Sequence, residues 1–454
     1  MMKLSDIKKV YFIGVGGIGM SALVRFFHER GVSVCGYDKT PTALTRKLEE
    51  EGIRIHYTDD VSLIPKDVEL VVYTPAIPAN HKELNFYLDN QYPVVKRSDV
   101  LQIVTQDTFN VCVAGTHGKT TISTMVAHLL RHSTYGCNAF LGGISVNYDS
   151  NYWSSEREVS VVEADEFDRS FLKLSPDIAI VSSMDPDHLD IYGNATAMEE
   201  AFIDFTRGIK KSGKLIYKHG LKRGGDLHAD EKYTYSLKDT QSNIFTTRLQ
   251  VKDGGYDFDI QLPDQKIDNL ELKVGGLHNV ENMLAAIAAV AMMGLSSEKI
   301  RSAVAAYRGV KRRFEYVLRA ANEGVIFIDD YAHHPAELDA LISGARDLYP
   351  NRPLTIAFQP HLFSRTRDFA DDFAASLDKA DEVLLLPIYP AREQPIAGVS
   401  SDLILGKMKN AQKHLLSKDE LVSWCKENKP SLFITAGAGD IDALRSDIQS
   451  NLTA

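Results

Sequence analysis

One run of residues in this 454-residue chain has the types and spacing of a phosphate-binding loop: Gly115-Thr116-His117-Gly118-Lys119-Thr120-Thr121. It follows the apolar run Val111–Ala114, which is typical of a strand, and it precedes a segment with helical spacing of apolar residues. Glycines at such a turn let backbone N–H groups surround phosphate oxygens, and the N-terminus of the next helix adds positive potential. Lys119 would then place a charge on the transferring phosphoryl group, and Thr120 would offer a hydroxyl to Mg²⁺.

A second interpretation of this run stays open. The full phosphate-loop pattern has a glycine five positions before its second glycine, and this chain has Val113 there. A tight strand-to-helix turn that happens to contain Gly-Lys-Thr would use the same residues. The strand before the run and the helix after it favour the phosphate loop.

Two later apolar runs end in groups that bind metal ions. Val159–Val162 is followed by Glu163, Asp165, Glu166 and Asp168, and Ile178–Val181 is followed by Asp185, Asp187, His188 and Asp190. Ligands of open α/β sheets bind beyond the carboxyl ends of the strands, so both groups would share one rim with the phosphate loop if the strands are parallel neighbours. Carboxylate oxygens suit Mg²⁺, and an imidazole could hold a second ion. For any single acid, a role as a helix cap or first-turn charge stays open.

The N-terminal region contains a second glycine pattern. Gly14-Val15-Gly16-Gly17-Ile18-Gly19 satisfies GxGxxG between an apolar strand and a helical segment, and Asp38 ends the next predicted strand. This fingerprint predicts a pyrophosphate at the helix N-terminus. Alone it would favour a nicotinamide-dependent dehydrogenase. With a separate phosphate loop in the chain, it favours ATP at one site and a nucleotide-linked substrate at the other.

The elements that must position these residues alternate along the chain. Short apolar runs alternate with helical patterns, which indicates an α/β fold with mainly parallel sheets. We predict three domains, at residues 1–105, 106–312 and 313–454. The polar stretch 212–275 has alternating patterns that predict antiparallel strands or hairpins.

The composition narrows the class of protein. The net charge is −10, with 51 basic and 61 acidic side chains and no dense basic run, so nucleic acid is a poor candidate partner. No apolar run approaches the ~18 residues of a membrane span, and the N-terminus lacks the apolar region of an export signal. The four cysteines form no CxxC pair. We therefore predict a cytoplasmic protein without membrane insertion.

Taken in order, the motifs resemble those of the Mur ligase family, in particular its alanine-adding branch. They span nearly the whole chain: GVGGIGMSAL, AGTHGKTT, EADEFDRSFL, MDPDHLD, HNVENMLAA, RRFE, DDYAHHPAE and FQPHLFSRT. The resemblance implies an N-terminal Rossmann-like domain for a UDP-linked substrate, a central P-loop ATPase-like domain with a mostly parallel sheet, and a C-terminal Rossmann-like domain.

The resemblance also implies roles for individual residues. The UDP-sugar would be bound by Gly16, Gly17, Gly19, Asp38 and Thr74. The catalytic residues would be Lys119, His188 and Arg365. ATP would be bound by the phosphate loop together with Asn279 and Asn282 beside the adenine, Arg313, and Asp330 near the ribose. Two Mg²⁺ ions would be held by Thr120, Glu163 and His188. The incoming amino acid would be lined by Tyr331, His333, His334 and Arg365.

The implied reaction joins L-alanine to the lactyl carboxylate of UDP-N-acetylmuramate through an acyl-phosphate, in peptidoglycan precursor synthesis, by a monomer or homodimer. One departure bears on it: many alanine-adding relatives carry an arginine where this chain has Leu362. Recognition of the alanine carboxylate would then rest more on Arg365. A ligase that reattaches a whole peptide, a nicotinamide-dependent dehydrogenase and a non-catalytic ATP-switched binding protein stay open as alternatives.

Overall fold

The structure of the chain is a computed structural model that describes residues 6–106, 108–186, 189–319, 324–391 and 393–453. The strands are β1 (Lys9–Ile13), β2 (Ser33–Tyr37), β3 (Arg54–His56), β4 (Leu70–Tyr73), β5 (Val94–Lys96), β6 (Phe109–Ala114), β7 (Asn138–Ser145), β8 (Ser150–Trp153), β9 (Val159–Glu163), β10 (Ile178–Val181), β11 (Lys214–Lys218), β12 (Glu231–Ser236), β13 (Ile244–Lys252), β14 (Gly255–Gln261), β15 (Lys266–Leu272), β16 (Glu315–Arg319), β17 (Ile326–Asp330), β18 (Leu354–Phe358), β19 (Glu382–Leu385), β20 (Lys413–Leu415) and β21 (Leu432–Ala436).

The helices are α1 (Ile18–Glu29), α2 (Ala43–Glu50), α3 (Lys82–Asp89), α4 (Arg97–Thr105), α5 (Lys119–His132), α6 (Leu189–Tyr192), α7 (Ala195–Arg207), α8 (Leu277–Met292), α9 (Ser297–Ala306), α10 (Pro335–Leu348), α11 (Phe363–Asp368), α12 (Ala370–Leu377), α13 (Asp402–Leu405), α14 (Lys418–Asn428) and α15 (Arg445–Thr453). No helix among the described residues combines the length and apolarity needed to span a bilayer.

The chain forms two compact units. The first comprises Met1–Thr247, Asp259–Leu270 and Glu281–Ala306, and the second comprises Arg248–Phe258, Glu271–Val280 and Tyr307–Ala454. The fold is α/β with three domains and parallel-rich sheets, as the sequence predicts. The first unit contains the N-terminal domain together with most of the central domain. The domain boundaries at 105/106 and 312/313 stay predictions.

The N-terminal sheet has the strand order β3-β2-β1-β4-β5, with every pairing parallel. The last four residues of β1 are buried because the strand lies in the middle of this sheet. The first glycine pattern connects β1 to α1, as predicted. Gly31, with φ of +76°, follows the end of α1 in the left-handed conformation that terminates many helices.

The central sheet has the order β15-β14-β13-β12-β11-β10-β6-β9-β7-β8. In it β6 lies between β9 and β10 and is parallel to both, with Val113 beside Glu163 and Ala114 beside Val181. The condition set in the sequence analysis, that these three strands are parallel neighbours, is met. Their carboxyl ends therefore bring the phosphate loop, Glu163 and the segment that begins at Ser182 to one rim.

The prediction of antiparallel strands or hairpins within 212–275 is wrong for the first part of that stretch. Strand β11 pairs in parallel with both β10 and β12, and β12 pairs in parallel with β13. A connection of twelve residues separates β11 from β12, which is long enough for a crossover. Alternating polarity indicates a strand with one exposed face but does not give its direction.

The third sheet, in the second unit, has the order β16-β17-β21-β18-β19-β20. All its pairings are parallel except that of the edge strand β16 with β17. Strands β17, β18 and β21 are almost entirely buried, which matches their continuous apolar runs. The carboxyl end of β17 carries Asp330 and leads directly to Tyr331.

Helix α1 fastens the N-terminal domain to the central sheet within the first unit. The Phe26 ring lies 5.5 Å from the ring of Phe140 in β7 and 6.3 Å from that of Tyr152 in β8. The Asn151 amide donates to the carbonyl of Ile18 at 2.6 Å. Burial of each such aromatic side chain contributes about 1.5–3 kcal/mol. This packing holds the start of α1 beside the rim of the central sheet.

Candidate active site

The loop between β6 and α5 has a backbone that only glycine adopts readily at two positions. Gly115 has φ of +140° and Gly118 has φ of +83°. A Cβ atom on Gly115 would collide with the Ser182 hydroxyl. Gly118 is the N-cap of α5, so the N-terminal N–H groups of this helix follow the loop directly. The conformation fits a loop that wraps an anion.

Two serines that the sequence analysis did not single out support the loop. The Ser183 hydroxyl accepts a hydrogen bond from the His117 N–H at 2.7 Å and lies 2.9 Å from the Thr116 hydroxyl. The Ser182 hydroxyl donates to the His117 carbonyl. Both serines follow β10 directly. Their position as polar residues directly after a buried strand is the sequence feature that could have identified them.

Lys119 is held by a buried carboxylate. Its ammonium group donates to Glu166 Oε1 at 2.8 Å and to the Gly115 carbonyl at 2.7 Å. The side chain of Glu166 is 1% exposed and that of Lys119 13% exposed. Glu166 was noted in the sequence as one acid of a cluster, but its ion pair with Lys119 was not predicted. The loop lysine is therefore already charge-compensated here.

Glu163 receives hydrogen bonds at both carboxylate oxygens. The Thr120 hydroxyl donates to Oε1 at 3.0 Å, and the Gly142 N–H donates to Oε2 at 2.9 Å. The loop thus faces Glu163, as the phosphate-loop interpretation requires. A carboxylate next to a hydroxyl oxygen is the donor set that Mg²⁺ prefers, so these two residues fit a divalent ion. His188, the predicted ligand of a second ion, lies outside the described residues.

The N-terminal glycine loop is closed by its neighbours. The N–H groups of Gly14 and Val15 donate to the Tyr37 carbonyl at 2.8 and 3.0 Å. The Gly16 N–H donates to Asp38 Oδ2 at 2.8 Å, so Asp38 contacts the loop itself. A Cβ on Gly14 would lie 2.6 Å from the Thr74 methyl group. The predicted UDP-site residues around β1 are brought together, and their role stays a prediction.

A cleft of about 100 Å³ connects the start of α1 with the rim of the central sheet. Its lining residues come from α1, α4, β7 and the end of β9: Ile18, Gly19, Ala22, Arg97, Leu101, Phe140, Leu141, Gly142, Glu163 and Asp165. One end therefore reaches the last glycine of the N-terminal pattern, and the other reaches Glu163. Arg97 was missed by the sequence analysis because no local pattern marks it.

The two predicted adenine-side asparagines lie in helix α8. Asn282 belongs to the first unit, and its side-chain oxygen would lie 3.0 Å from a Cβ on Gly118, so it borders the phosphate loop. Asn279 belongs to the second unit, where its amide donates to the Gly275 carbonyl at 2.7 Å in the first turn of the helix. The role of both at an adenine stays a prediction.

In the second unit, Asp330 ends β17 and organises the following turn. Its carboxylate accepts hydrogen bonds from the N–H groups of Phe314 at 2.6 Å and Ala332 at 2.7 Å. Burial raises the pKa of Asp330 to about 6, although these hydrogen bonds lower it. Arg313, also predicted near ATP, is exposed one residue before Phe314.

The predicted amino-acid-side residues converge in the second unit. The Tyr331 and His333 rings are 5.3 Å apart, and the His333 and His361 rings 6.0 Å apart. Arg365 Nη1 lies 3.4 Å from His361 Nδ1. Burial, followed by the charge of Arg365, lowers the pKa of His361 to about 4, so this histidine is neutral at pH 7. His361 is a member of the cluster that the sequence analysis did not assign.

His334 is placed differently from its neighbour. It is the N-cap of α10, with Pro335 at the first helical position, and its ring packs against Phe369 at 4.8 Å. The Glu337 carboxylate accepts from the backbone N–H groups of His333 and His334 at 2.8 and 3.1 Å. His334 therefore has the geometry of a helix-start residue, and its role beside the amino acid stays a prediction.

Leu362 has an unusual backbone conformation, with φ of +71° and ψ of 136°. Its N–H donates to the Tyr389 carbonyl at 3.0 Å, and its carbonyl accepts from Thr366 N–H at 3.1 Å. Non-glycine residues in this region cost on the order of 1–3 kcal/mol, and such residues cluster at functional sites. Leu362, where the resemblance leads one to expect an arginine, is thus tied to Tyr389 and Thr366 and precedes Arg365 by three residues.

Comparison with known proteins covers all three domains. The model described as the Mur ligase family catalytic domain matches residues 9–108, the Mur ligase middle domain matches 113–290, and the Mur ligase glutamate ligase domain matches 312–439. The UDP-N-acetylmuramate--L-alanine ligase of Porphyromonas gingivalis is 49% identical over 445 residues, which are 96% of this chain and 97% of that protein. The protein with the same name from Flavobacterium psychrophilum is 47% identical over 99% of each chain.

Solved structures agree with these similarities. The crystal structure of the UDP-N-acetylmuramate-alanine ligase MurC from Thermotoga maritima matches with a TM-score of 0.84 and 27% identity, covering 98% of this chain and 99% of that one. The murein peptide ligase of Psychrobacter arcticus matches with a TM-score of 0.68 and 22% identity over 98% of each chain, which shows a shared fold. Full-length relatives near half identity and three matching domain models lead to one conclusion: the chain belongs to the Mur ligase family.

Proposed function

We propose that this protein is an ATP-dependent ligase that joins L-alanine to the lactyl carboxylate of UDP-N-acetylmuramate, in peptidoglycan precursor synthesis. The observation that carries the proposal is the cleft that runs from Gly19 to Glu163, next to the loop that holds Lys119 and Thr120. This arrangement supports one anion site for a nucleotide-linked substrate and a second one for ATP. The names of the full-length relatives support the choice of substrates.

In the first step, the γ-phosphoryl group of ATP passes to an oxygen of the lactyl carboxylate. The bond between the γ-phosphorus and the β–γ bridging oxygen breaks, ADP leaves, and a carboxyl–phosphate anhydride forms. The backbone N–H groups of the loop bind the phosphates, and Lys119 turns from Glu166 toward them to offset the charge that is being transferred. A divalent ion held by Thr120 and Glu163 would add positive charge at the same oxygens.

In the second step, the amine of L-alanine attacks the acyl carbon, and a tetrahedral intermediate expels inorganic phosphate. The amine loses a proton as the amide bond forms. The cluster of Tyr331, His333, His361 and Arg365 is the proposed amino-acid side. Because His361 is neutral at pH 7, Arg365 is the cation of this cluster that can bind the carboxylate of alanine.

The proposal also covers a second metal ion, the cellular location and the assembly. A second divalent ion would use His188. A cytoplasmic location is supported by the four cysteines, which are buried and free, and by the use of ATP. A monomer or homodimer is the proposed assembly.

The test is an ADP-release assay with UDP-N-acetylmuramate and separate amine acceptors: L-alanine, D-alanine, glycine, L-serine and a peptide that begins with L-alanine. We expect ADP release only with all three substrates present, the highest kcat/KM with L-alanine, and a product whose mass equals that of the two substrates joined with loss of water. A higher kcat/KM with the peptide would reject the alanine assignment. ADP release with no amide product would reject a ligase.

The same assay includes a variant that links turnover to the described loop. Lys119→Ala should abolish amide formation. Because this change removes the partner of the buried Glu166, the double variant with Glu166→Gln keeps the site free of an uncompensated charge. Lys222→Ala is the matched control, since Lys222 also pairs with a glutamate, Glu199, but its own side chain is 78% exposed. Normal turnover in a folded Lys119 variant would contradict the assignment.

A further inference from the structure

Arg97 occupies the junction between the two predicted anion sites. It is the first residue of α4, and its guanidinium group lies against Gly19 so closely that a Cβ there would overlap it. Its Nη2 atom lies 3.2 Å from Asp165 Oδ2. Gly19 is the last glycine of the N-terminal pattern, and Asp165 follows Glu163 by two residues. One side chain thus spans the cleft from the N-terminal domain to the rim of the central sheet.

The cleft is lined by more acidic than basic side chains. Among the described residues that line it, Arg97 is the one basic side chain, and Glu163 and Asp165 are the two acids. Both oxygens of Glu163 already accept hydrogen bonds from Thr120 and Gly142. A substrate that carries a carboxylate and a diphosphate would meet two negative charges here. Electrostatic repulsion would oppose its entry unless a cation receives it.

The ion pair between Arg97 and Asp165 is open to exchange. The two side chains are 22% and 37% exposed, and one N–O contact joins them. Ion pairs this exposed contribute about 1 kcal/mol or less, because water competes for both partners. A guanidinium group can instead form two parallel hydrogen bonds with a carboxylate or phosphate. An incoming oxyanion would therefore replace Asp165 at modest cost.

We infer that Arg97 binds an oxyanion of the UDP-linked substrate, and that this oxyanion displaces Asp165, which competes for the guanidinium group in the absence of substrate. The inference rests on the proposed function for the identity of the substrate. The oxyanion is either the lactyl carboxylate or the diphosphate, because Arg97 lies between Glu163 and the start of α1. Both are recognised by the same bidentate chemistry.

The test measures binding by isothermal titration without ATP or metal. UDP-N-acetylmuramate and UDP-N-acetylglucosamine, which lacks the lactyl carboxylate, are titrated into wild type, Arg97→Ala, Asp165→Asn and the control Arg207→Ala. Arg207 lies in the same unit and pairs with Asp204, but its side chain is 52% exposed and away from the cleft. We expect Arg97→Ala to weaken UDP-N-acetylmuramate binding by about tenfold or more, the loss of a charge-assisted bidentate contact.

The Asp165 variant distinguishes substrate binding by Arg97 from a purely structural role of the Arg97–Asp165 ion pair. Both variants lose the same ion pair, so a purely structural role of that pair predicts equal losses of affinity. The inference predicts that Asp165→Asn binds UDP-N-acetylmuramate as tightly as wild type or more tightly, since it removes the competing acid. Equal losses in the two variants, or unchanged affinity in Arg97→Ala, would overturn the inference. If Arg97→Ala fails to fold, weaker binding by Asp165→Asn still overturns it.

The second ligand identifies the oxyanion. If Arg97→Ala weakens binding of UDP-N-acetylmuramate alone, the partner is the carboxylate; if it weakens both ligands equally, the partner is the diphosphate. Failure of wild type to bind UDP-N-acetylmuramate would instead reject the proposed function, and the inference with it. Tight wild-type binding with no effect of Arg97→Ala rejects the inference alone.

Discussion

At the scale of single residues, Lys119 shows how the resting site is stabilised before ATP binds. Its ammonium group is paired with Glu166, whose side chain is almost completely buried. A buried ion pair of this kind is costly to break on one side, because the remaining charge loses its compensation. The proposed mechanism therefore requires that bound ATP supply enough interaction to draw Lys119 away from Glu166.

A second buried carboxylate leads to a prediction about pH. Asp329 is fully buried in β17 and accepts a hydrogen bond from the Thr435 hydroxyl at 2.6 Å. Burial raises its pKa from the ordinary 3.8 to about 7, although Thr435 and Arg312 lower it. The folded protein therefore keeps a proton that the unfolded chain loses above about pH 4. The contribution of Asp329 to stability is present below about pH 4 and is lost as the pH rises toward 7.

Asp329→Asn removes this titration while keeping an oxygen that can accept from Thr435. We expect the free energy of unfolding of the variant, relative to wild type, to increase between pH 4 and 7 and then level off. The upper bound is about 4 kcal/mol, from about three pKa units at 1.36 kcal/mol each. Urea unfolding of both proteins at a series of pH values measures this difference in the free energy of unfolding. A difference that does not change with pH would show that Asp329 is ionised in the folded protein at acidic pH.

At the scale of elements, the strand–loop–helix unit of β6 and α5 carries the ATP part of the account. Gly115→Ala would force a side chain into a conformation with φ of +140° and into contact with Ser182. We expect ATP affinity to fall by about tenfold or more, because the loop N–H groups can no longer converge, and stability to fall by about 1–3 kcal/mol. ATP titration and thermal unfolding measure the two effects.

Gly220→Ala is the matched control for this prediction. Gly220 also has a positive φ, +79°, but a Cβ there meets no atom within 4 Å. The control should show a stability loss from backbone strain with unchanged ATP affinity. If Gly115→Ala binds ATP as tightly as Gly220→Ala does, the loop between β6 and α5 is not the triphosphate site.

The elements that carry the chemistry could be predicted from the sequence because their signals are local. The strand before Gly115 is a short apolar run, and the helices after both glycine patterns have apolar residues at helical spacing. The sequence predicted mainly parallel sheets, but the adjacency of β9, β6 and β10 was a condition of the argument that only the structure supplies. The direction of β12 did not follow, because alternation of polarity is the same in parallel and antiparallel strands.

The missed residues depend on contacts between distant parts of the chain. Arg97 meets Asp165 across 68 positions, and Lys119 meets Glu166 across 47. Ser183 reaches the loop across 66 positions. No spacing within one element specifies such pairs, since they depend on how helices pack on the sheet. The sequence indicated which strand ends carry the site, and the packing determined which side chains support it.

At the scale of the whole molecule, the two compact units carry different parts of the proposed reaction. The first holds the phosphate loop, Glu163 and the cleft that reaches α1. The second holds Asp330 and the cluster around Arg365. An acyl-phosphate is quickly hydrolysed in water, so the proposed reaction requires an intermediate that is shielded from solvent. That intermediate is the central claim of the account.

The most direct test follows oxygen from the substrate carboxylate. UDP-N-acetylmuramate labelled with ¹⁸O in the lactyl carboxylate is converted with ATP and L-alanine, and the products are analysed by mass spectrometry. The account predicts that one ¹⁸O atom per turnover appears in inorganic phosphate and that the other remains in the amide carbonyl. Phosphate without label, or label in AMP, would contradict transfer of the γ-phosphoryl group to the carboxylate.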